Sequence, residues 1–156
     1  LRIAFPGHAR YDNYYRELSL DSARAVVSYR VDGVNYRREM ITSFTDQVVM
    51  VRLTADAPGK ITFNAVLTTP HQDALIATDG DCVTLSGVSS WHEGLKGKVE
   101  FQGRLATKIK GGNSCCKDGV LLVENADEAS SMYLLPRISI IIRTLREIRY
   151  NVPKII

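Results

Sequence analysis

Alternation of apolar and polar residues with a period of two is the feature that most constrains this chain. It is clearest in Ala23 to Tyr29 and in Val34 to Thr42, two stretches rich in Val, Tyr and Ile. Between them stands Asp32-Gly33, a dipeptide that readily supplies the positive φ angles of a tight two-residue turn. We therefore predict a β-hairpin over these residues.

Further alternating stretches follow, each bounded by residues that favour turns. Gln47 to Thr54 and Lys60 to Thr69 are separated by a segment whose Pro58-Gly59 step is a strong turn signal, so a second hairpin is predicted there. Later strands are predicted at Cys82 to Val88, at Gly97 to Lys110 with Gly111-Gly112 ending it, and from Val120 to Val123.

The number and spacing of these segments indicate the fold class. About seven strands separated by turns, with one short helical alternative at Ser19 to Ala25, predict an all-β fold, an antiparallel β-sandwich. A chain of 156 residues is long enough for one domain with a real core.

The positive charge of the chain is concentrated at its C-terminal end. The formal net charge is +3, but the residues from Ser131 onward alone carry five cations against the single anion Glu147. Those cations are Arg137, Arg143, Arg146, Arg149 and Lys154. The rest of the chain has no basic stripe interleaved with aromatic residues, so no nucleic-acid partner is expected. No apolar run reaches the length of a membrane helix, so no membrane span is expected either.

The cysteines and histidines do not predict a metal site or a disulfide framework. Cys82, Cys115 and Cys116 are odd in number and contain no CxxC pair. The three histidines, His8, His71 and His92, stand at spacings that match no standard ligand pattern. No metal and no cofactor are expected.

The best local candidate for chemistry is the run Trp91-His92-Glu93 in a predicted loop. An aromatic ring, an imidazole and a carboxylate together could stack on a sugar ring and hydrogen-bond its hydroxyls, so Trp91 and His92 are candidate substrate-binding residues. The alternative is an ordinary turn in which Trp91 covers the edge of a sheet.

A second dense cluster contains Tyr11, Tyr14 and Tyr15, followed by Arg16 and Glu17. Such side chains could line a carbohydrate groove, although tyrosines ahead of a strand more often pack against a neighbouring layer. The carboxylates of Asp79-Gly80-Asp81 are interpreted as part of a turn. No GxSxG, HExxH, phosphate-binding or dinucleotide motif is present, so no catalytic residue is predicted.

The stretch from Asn13 to Phe63 resembles the N-terminal domain of glycoside hydrolase family 95. The matching elements are Tyr15-Arg16-Glu17-Leu18-Ser19-Leu20, Arg38-Glu39, Ser43 and Gln47 to Ala55. The similarity continues through His92-Glu93-Gly94 and Gly97-Lys98-Val99, and from Gly111-Gly112 to Ala126-Asp127.

This resemblance implies part of a multidomain α-L-fucosidase that acts on terminal α-1,2-linked L-fucose, or on L-galactose in some members. In that family a large N-terminal β-sandwich precedes a helical linker and an (α/α)₆ barrel, and the acid and base reside in the barrel. No residue of this chain matches those catalytic motifs. The chain alone is therefore expected to be inactive, with a fucosylated glycan as the partner of its parent enzyme. The resemblance also suggests a periplasmic or extracellular location, although Leu1 to Pro6 does not resemble a signal peptide.

The chain lacks the residues with which the N-terminal domain of this family usually begins, so we expect a fragment of a larger super-sandwich. Its exposed sheet edges could associate with other chains. Two other functions remain open: an independent carbohydrate-binding or interaction module, and a complete small enzyme, for which no catalytic constellation exists.

The pattern changes after Ser130, so residues 1–130 are assigned to the sandwich and residues 131–156 to an atypical tail. The tail has Ile138, Ile141, Ile142, Leu145 and Ile148 at helical spacing, which predicts an amphipathic helix from Ile138 to Arg149. The other interpretation is translation out of frame, because one permitted reading of shifted codons from Met132 to Arg149 restores the family's Asn-Tyr-Lys-Asp segment. On that interpretation the tail adds no native strand.

Overall fold

The computed structural model describes residues 1–43, 45–134 and 139–140, and these residues form an all-β structure with no helix. The strands are β1 (Arg2–Ala4), β2 (Asp12–Ser19), β3 (Arg24–Val31), β4 (Val34–Ser43), β5 (Val48–Ala55), β6 (Ile61–Val66), β7 (Leu75–Asp79), β8 (Cys82–Val88), β9 (Val99–Lys110), β10 (Asn113–Lys117), β11 (Val120–Ala126), β12 (Glu128–Leu134) and β13 (Ser139–Ile140).

The strands form two antiparallel sheets of unequal size. The small sheet has the order β1-β6-β11-β10, and the large sheet has the order β2-β3-β4-β5-β12-β9-β8-β7, with β13 also paired to β9. This arrangement confirms the predicted antiparallel β-sandwich. It contains more strands than the alternation indicated, because β2, β7, β10, β12 and β13 were not among the predicted strands.

The core lies between the two sheets and consists of alternate residues of facing strands. From the small sheet come Phe63 and Ala65 of β6 and Val123 of β11, each fully buried. From the large sheet come Leu53 of β5 and Leu105 of β9, which are 1% and 0% exposed. Full burial of one such large apolar side chain contributes about 1.5–3 kcal/mol, so this layer holds the sheets together.

The first predicted hairpin is confirmed. Residues Val31 and Val34 close the β3–β4 ladder, and the two residues between them, Asp32 and Gly33, have φ angles of 47° and 82°. Both angles lie in the left-handed region that a type I′ turn requires. The turn therefore follows from the local sequence.

The second predicted hairpin is wrong. β5 pairs with β4 and β12 in the large sheet, whereas β6 pairs with β1 and β11 in the small sheet. The turn signal at Pro58-Gly59 is real, since Gly59 has a φ of 65°, but it turns the chain from one sheet to the other. Turn residues indicate a change of direction and do not say whether the two strands pair, which depends on distant partners.

The helical alternative at Ser19 to Ala25 is also wrong. Residues 20–23 form the turn between β2 and β3, in which Ala23 N donates to the Leu20 carbonyl oxygen at 3.4 Å.

The expectation that residues beyond Ser130 add no strand is wrong for the described part of that segment. β12 runs without a break from Glu128 to Leu134, and Ser139–Ile140 pair with Glu100 and Val99 of β9. Most of the predicted helix from Ile138 to Arg149 lies outside the described residues, and so does the rest of the proposed out-of-frame tail.

Gly111 and Gly112 end β9 as predicted, with φ angles of 68° and 63°. A Cβ atom on Gly112 would lie 2.5 Å from the backbone nitrogen of Ala126, whereas a Cβ atom on Gly80, which has a similar φ of 57°, would meet nothing within 4 Å. At Gly112 both the positive φ angle and the nearby backbone atoms disfavour a side chain, whereas at Gly80 only the positive φ angle does.

We expect Gly112→Ala to lower the free energy of unfolding by about 3 kcal/mol or more, because backbone atoms cannot move aside easily. Gly80→Ala is the matched control and should cost about 1–2 kcal/mol from its left-handed backbone alone. Urea unfolding of both variants measures the difference. Equal losses would show that the close approach to β11 has no energetic consequence.

Candidate functional site

The structure places Trp91 and His92 in an exposed turn at one end of the large sheet. His92 N and Leu95 O are 3.0 Å apart and Leu95 N and His92 O are 2.9 Å apart, with Glu93 and Gly94 at positive φ between them. Trp91 is 64% exposed, and His92 approaches the Glu93 carboxylate at 3.9 Å. Most of the Trp91 surface is therefore in solvent, and its role in sugar binding stays a prediction.

The tyrosine cluster is divided between the two faces of the large sheet. The ring centroids of Tyr11 and Tyr14 are 5.6 Å apart, and Tyr11 meets the edge of Tyr29 at 6.0 Å on the face that looks toward the core. Tyr15 pairs with Ser28 and donates a hydrogen bond of 3.0 Å to Glu17 on the outer face. All three tyrosines are more than half exposed, so the expected packing under a second layer is not found.

The most developed side-chain arrangement lies at the other end of the sandwich from Trp91. The segment after β1 turns at Pro6-Gly7, where Gly7 has a φ of 82° and His8 N donates to the Phe5 carbonyl oxygen at 3.3 Å. This turn lays Phe5 and His8 over Tyr29, Tyr36 and Arg38 of the β3–β4 hairpin. We call these five residues the aromatic cluster.

Ring contacts and one cation hold the cluster together. His8 lies 4.4 Å from Tyr36 between ring centroids, and Tyr36 stacks on Tyr29 at 5.5 Å with 15° between the planes. The guanidinium of Arg38 lies 3.9 Å from the centre of the Phe5 ring and 4.8 Å from that of Tyr29. Such a partly buried cation over two rings is stabilised by their negative faces.

A directed chain of hydrogen bonds runs through the cluster. Arg38 Nη2 donates to the Tyr29 hydroxyl at 2.5 Å, and that hydroxyl lies 2.8 Å from His8 Nδ1. Arginine is always a donor, so the tyrosine oxygen accepts from Arg38, and we assign the contact between Tyr29 and His8 as a bond from the hydroxyl to Nδ1. His8 Nδ1 is then an acceptor, and the proton of the neutral ring resides on Nε2.

The surroundings of His8 favour this neutral form. Burial lowers the pKa of His8 below its ordinary value of 6.5, and the charge of Arg38 lowers it further, against an opposing effect of Asp32. Burial also raises the pKa of Tyr36, with smaller contributions from Tyr29, Asp32 and Asp56. Both rings are therefore uncharged near neutral pH.

Next to the aromatic cluster the turns enclose an open cleft of about 300 Å³, which we call the polar cleft. It is lined by Pro6, Gly7, His8, Val31, Asp32, Val34, Tyr36, Gly59, Lys60, Thr62 and Asn125. Four segments distant in sequence thus contribute to one concave surface: the Pro6-Gly7 turn, the β3–β4 turn, the corner between β5 and β6, and the end of β11 at Asn125.

Other expected features have simpler explanations. Asp79 pairs with Cys82 across a two-residue turn, which confirms the interpretation of Asp79-Gly80-Asp81, and Asp79 binds Arg104 at 2.7 Å. The three cysteines are free thiols. Within residues 1–43, 45–134 and 139–140, no three His, Cys, Asp or Glu side chains converge in a way that could hold a metal ion.

The contacts within the aromatic cluster were not predicted from the sequence. Pro6-Gly7 is itself a turn signal of the same kind as Pro58-Gly59, and it could have indicated that Phe5 and His8 fold back onto a sheet. The partners Tyr29, Tyr36 and Arg38 lie on one face because they alternate along a hairpin. No local signal connects those two elements.

Comparison with known sequences identifies the domain. The sequence model of the glycosyl hydrolase family 65 N-terminal domain matches residues 1–134. The chain belongs to this family of glycosyl hydrolase N-terminal domains. The matched residues end with β12, whose last residue is Leu134.

Within this glycosyl hydrolase N-terminal domain, 58 residues are 41% identical to alpha-L-fucosidase 2 of Arabidopsis thaliana. That stretch covers 36% of the chain and 7% of the plant protein, so the domain corresponds to a small part of that relative. In the described ranges of the glycosyl hydrolase domain, no helix has the length and apolarity needed to cross a membrane.

The neutral state of His8 predicts how the stability of the domain depends on pH. Because the pKa of His8 in the folded chain lies below the unfolded value of 6.5, stability is complete above about pH 6.5 and declines as the pH falls through that value. We expect His8→Asn, whose amide oxygen can accept from Tyr29, to show a smaller loss between about pH 7.5 and pH 5.

Urea unfolding of both proteins across this range measures the difference, and His71 and His92 are present in both. An identical pH dependence in the two proteins would contradict the assignment of His8 as a partly buried, neutral acceptor.

Proposed function

We propose that this domain is the non-catalytic N-terminal β-sandwich of an α-L-fucosidase of the family 95 type, and that it supports an (α/α)₆ catalytic barrel. The identity with alpha-L-fucosidase 2 and the motifs from Tyr15 to Ala55 support the fucosidase type. On this proposal the glycan partner of the whole enzyme is fucosylated, and the enzyme acts in the periplasm or outside the cell.

The state of the carboxyl groups supports a non-catalytic role. Glycosidases use a pair of carboxyl groups, of which the general acid has a raised pKa. Hydrogen bonds from Asn35 lower the pKa of Asp56, and a 2.6 Å hydrogen bond from Arg52 lowers that of Glu128. Glu39 is held by Arg24 at 3.1 Å and by Arg37 at 3.0 Å. The lowered pKa values of Asp56 and Glu128 stabilise their charged forms, which are unsuited to a general acid.

The single observation that carries the scaffold role is an uncovered area on the inner face of the large sheet. Register places Leu18 opposite Ala25, and Ala25 opposite Met40, on the face that elsewhere packs against the small sheet. The small sheet ends at β1, and there Leu18 is 69% and Met40 45% exposed. An apolar area that continues a buried core is suited to contact with another part of the enzyme.

The isolated chain is expected not to hydrolyse aryl or natural α-L-fucosides above the buffer blank, since its sequence predicts no acid and base pair. A chromogenic fucoside assay with purified chain measures this. Turnover that survives further purification and disappears when a residue of this chain is mutated would contradict the proposal.

The scaffold role predicts different effects at two neighbouring residues of β4. Met40 faces inward and Ile41, which is 38% exposed, faces outward. In the enzyme that contains this domain, Met40→Glu should lower stability by about 2–3 kcal/mol, because the new charge would be buried without a partner. Ile41→Glu should change it by less than about 0.5 kcal/mol.

Thermal unfolding of both variants, in the isolated chain and in the whole enzyme, measures this difference. In the isolated chain the two changes should be similar and small. If Met40→Glu were equally harmless in the whole enzyme, the inner face would be solvent-exposed there and the scaffold role would lose its support.

A second candidate function, an independent carbohydrate-binding module, is favoured by the exposure of Trp91. Free aromatic rings on turns are common contacts for sugar faces. Because Trp91 is the single tryptophan of the chain, a saturable change in its fluorescence on titration with a fucosylated oligosaccharide, lost in His92→Ala, would favour this function. The scaffold role requires no such change.

A further inference from the structure

The polar cleft is held in shape by hydrogen bonds that do not involve any ligand. Gly59 N donates to Asp127 Oδ1 at 2.8 Å, and Asn125 N donates to Thr62 Oγ1 at 3.0 Å. Asp56 accepts from the backbone and side-chain nitrogens of Asn35 at 2.9 and 2.6 Å, which joins the β5–β6 corner to the β3–β4 hairpin. A cleft with walls fixed in advance loses little entropy when a ligand enters.

The chemistry of the lining suits a ligand that both donates and accepts hydrogen bonds. Asp32 supplies an acceptor, Lys60 a donor, and Asn125 both. With His8 Nδ1, which lies 2.8 Å from the Tyr29 hydroxyl, assigned as the acceptor, Nε2 is left as a donor. Each sugar hydroxyl is a donor and an acceptor, and neighbouring hydroxyls on a ring present both functions within a few ångströms.

The same lining suits an uncharged ligand with an apolar face. The anion Asp32 and the cation Lys60 offset each other, so neither sign of charge is favoured. Pro6, which is exposed, and Val34, which is partly buried, provide apolar surface beside these polar groups. The ring carbons of a pyranose form an apolar face of this kind.

We propose that the polar cleft binds one uncharged pyranose unit of a glycan, with Asp32, Lys60 and Asn125 hydrogen-bonded to its hydroxyls and with Pro6 and Val34 against its ring carbons. The volume of about 300 Å³ is at the small end of ligand pockets, which is sufficient for one sugar ring and not for a long oligosaccharide. This site does not depend on the scaffold role, because a domain that supports a barrel needs no sugar site of its own.

The site is also separate from Trp91. Cross-strand pairing aligns Lys110, at the end of β9, with Glu128 of β12, Thr54 of β5 and Arg37 of β4. This end of β9 therefore lies on the side of the sheet that carries the aromatic cluster. The turn that carries Trp91 precedes Val99 at the opposite end of β9, a strand of 12 residues. Such a strand is roughly 36 Å long, so a ligand in the polar cleft should leave Trp91 unaffected.

Titration of the isotope-labelled chain with methyl α-L-fucopyranoside and methyl α-D-glucopyranoside, followed by amide NMR, tests the proposal. We expect saturable shifts of the Gly7 and Gly59 amides, with a dissociation constant in about the millimolar range for at least one of the two sugars. The amides of Gly80 and Gly94, far from the cleft, should not move. Absence of saturable shifts at Gly7 and Gly59 with both sugars would overturn the proposal.

Two conservative variants test the assigned contacts. Asp32→Asn preserves the turn because Asn-Gly also favours its backbone angles, and Lys60→Gln keeps a polar side chain of similar reach. Each should weaken binding about tenfold, since a hydrogen bond to a charged group is lost. Asp81→Asn, in the β7–β8 turn, is the matched control and should bind as the unchanged chain does.

Binding that is unchanged in both Asp32→Asn and Lys60→Gln would show that the sugar lies elsewhere and would overturn the assignment. Binding to glucuronate or glucosamine at least tenfold tighter than to both neutral glycosides would overturn the inference of an uncharged ligand. The dispersion of the amide spectrum verifies that each variant is folded before it is titrated.

Discussion

The pairing of β12 on both of its edges is the interaction on which the rest of the structure depends. One edge bonds to β5 and the other to β9, so β12 joins the strands β2 to β5 with the strands β7 to β9. Ser131 at its centre is 1% exposed and lies 3.3 Å from the Thr107 hydroxyl, so this buried polar group has a partner. Without β12 the large sheet would be two pieces, each with a new unpaired edge.

The position of β12 also determines how the small sheet is placed. β11 leads directly into β12, and the connection between them holds Asp127, whose backbone nitrogen donates to the Lys110 carbonyl oxygen at 2.8 Å. The side chain of the same residue accepts from Gly59. The crossing from β11 to β12 and the crossing from β5 to β6 are thus tied together at one end of the sandwich. That end carries the polar cleft and, beside it, the aromatic cluster.

The difference in size between the two sheets relates the fold to the proposed function. Four strands cannot cover the inner face of the large sheet, and the uncovered part carries Leu18 and Met40. A glycosyl hydrolase N-terminal domain with this uncovered face and with carboxylates held in the charged form by Arg and Asn is suited to support of other domains. Hydrolysis of a glycosidic bond would instead need a carboxyl group whose pKa is raised, so that it can act as a general acid.

The sequence by itself determined the features that depend on neighbours along the chain. Alternation in β3 and β4 and the Asp32-Gly33 turn define a hairpin, because a few residues contain all the backbone preferences involved. The resemblance to glycoside hydrolase N-terminal domains was likewise evident in runs such as Tyr15 to Leu20. Tertiary structure alone decided that β5 and β6 lie in different sheets, since Pro58-Gly59 specifies a turn and not the partner of the strand that follows. It also decided that Phe5, His8 and Arg38 meet and that β12 continues past Ser130. These outcomes depend on contacts between residues far apart in sequence. The free energies of those contacts are distributed over the whole core, so no local sequence pattern indicates them.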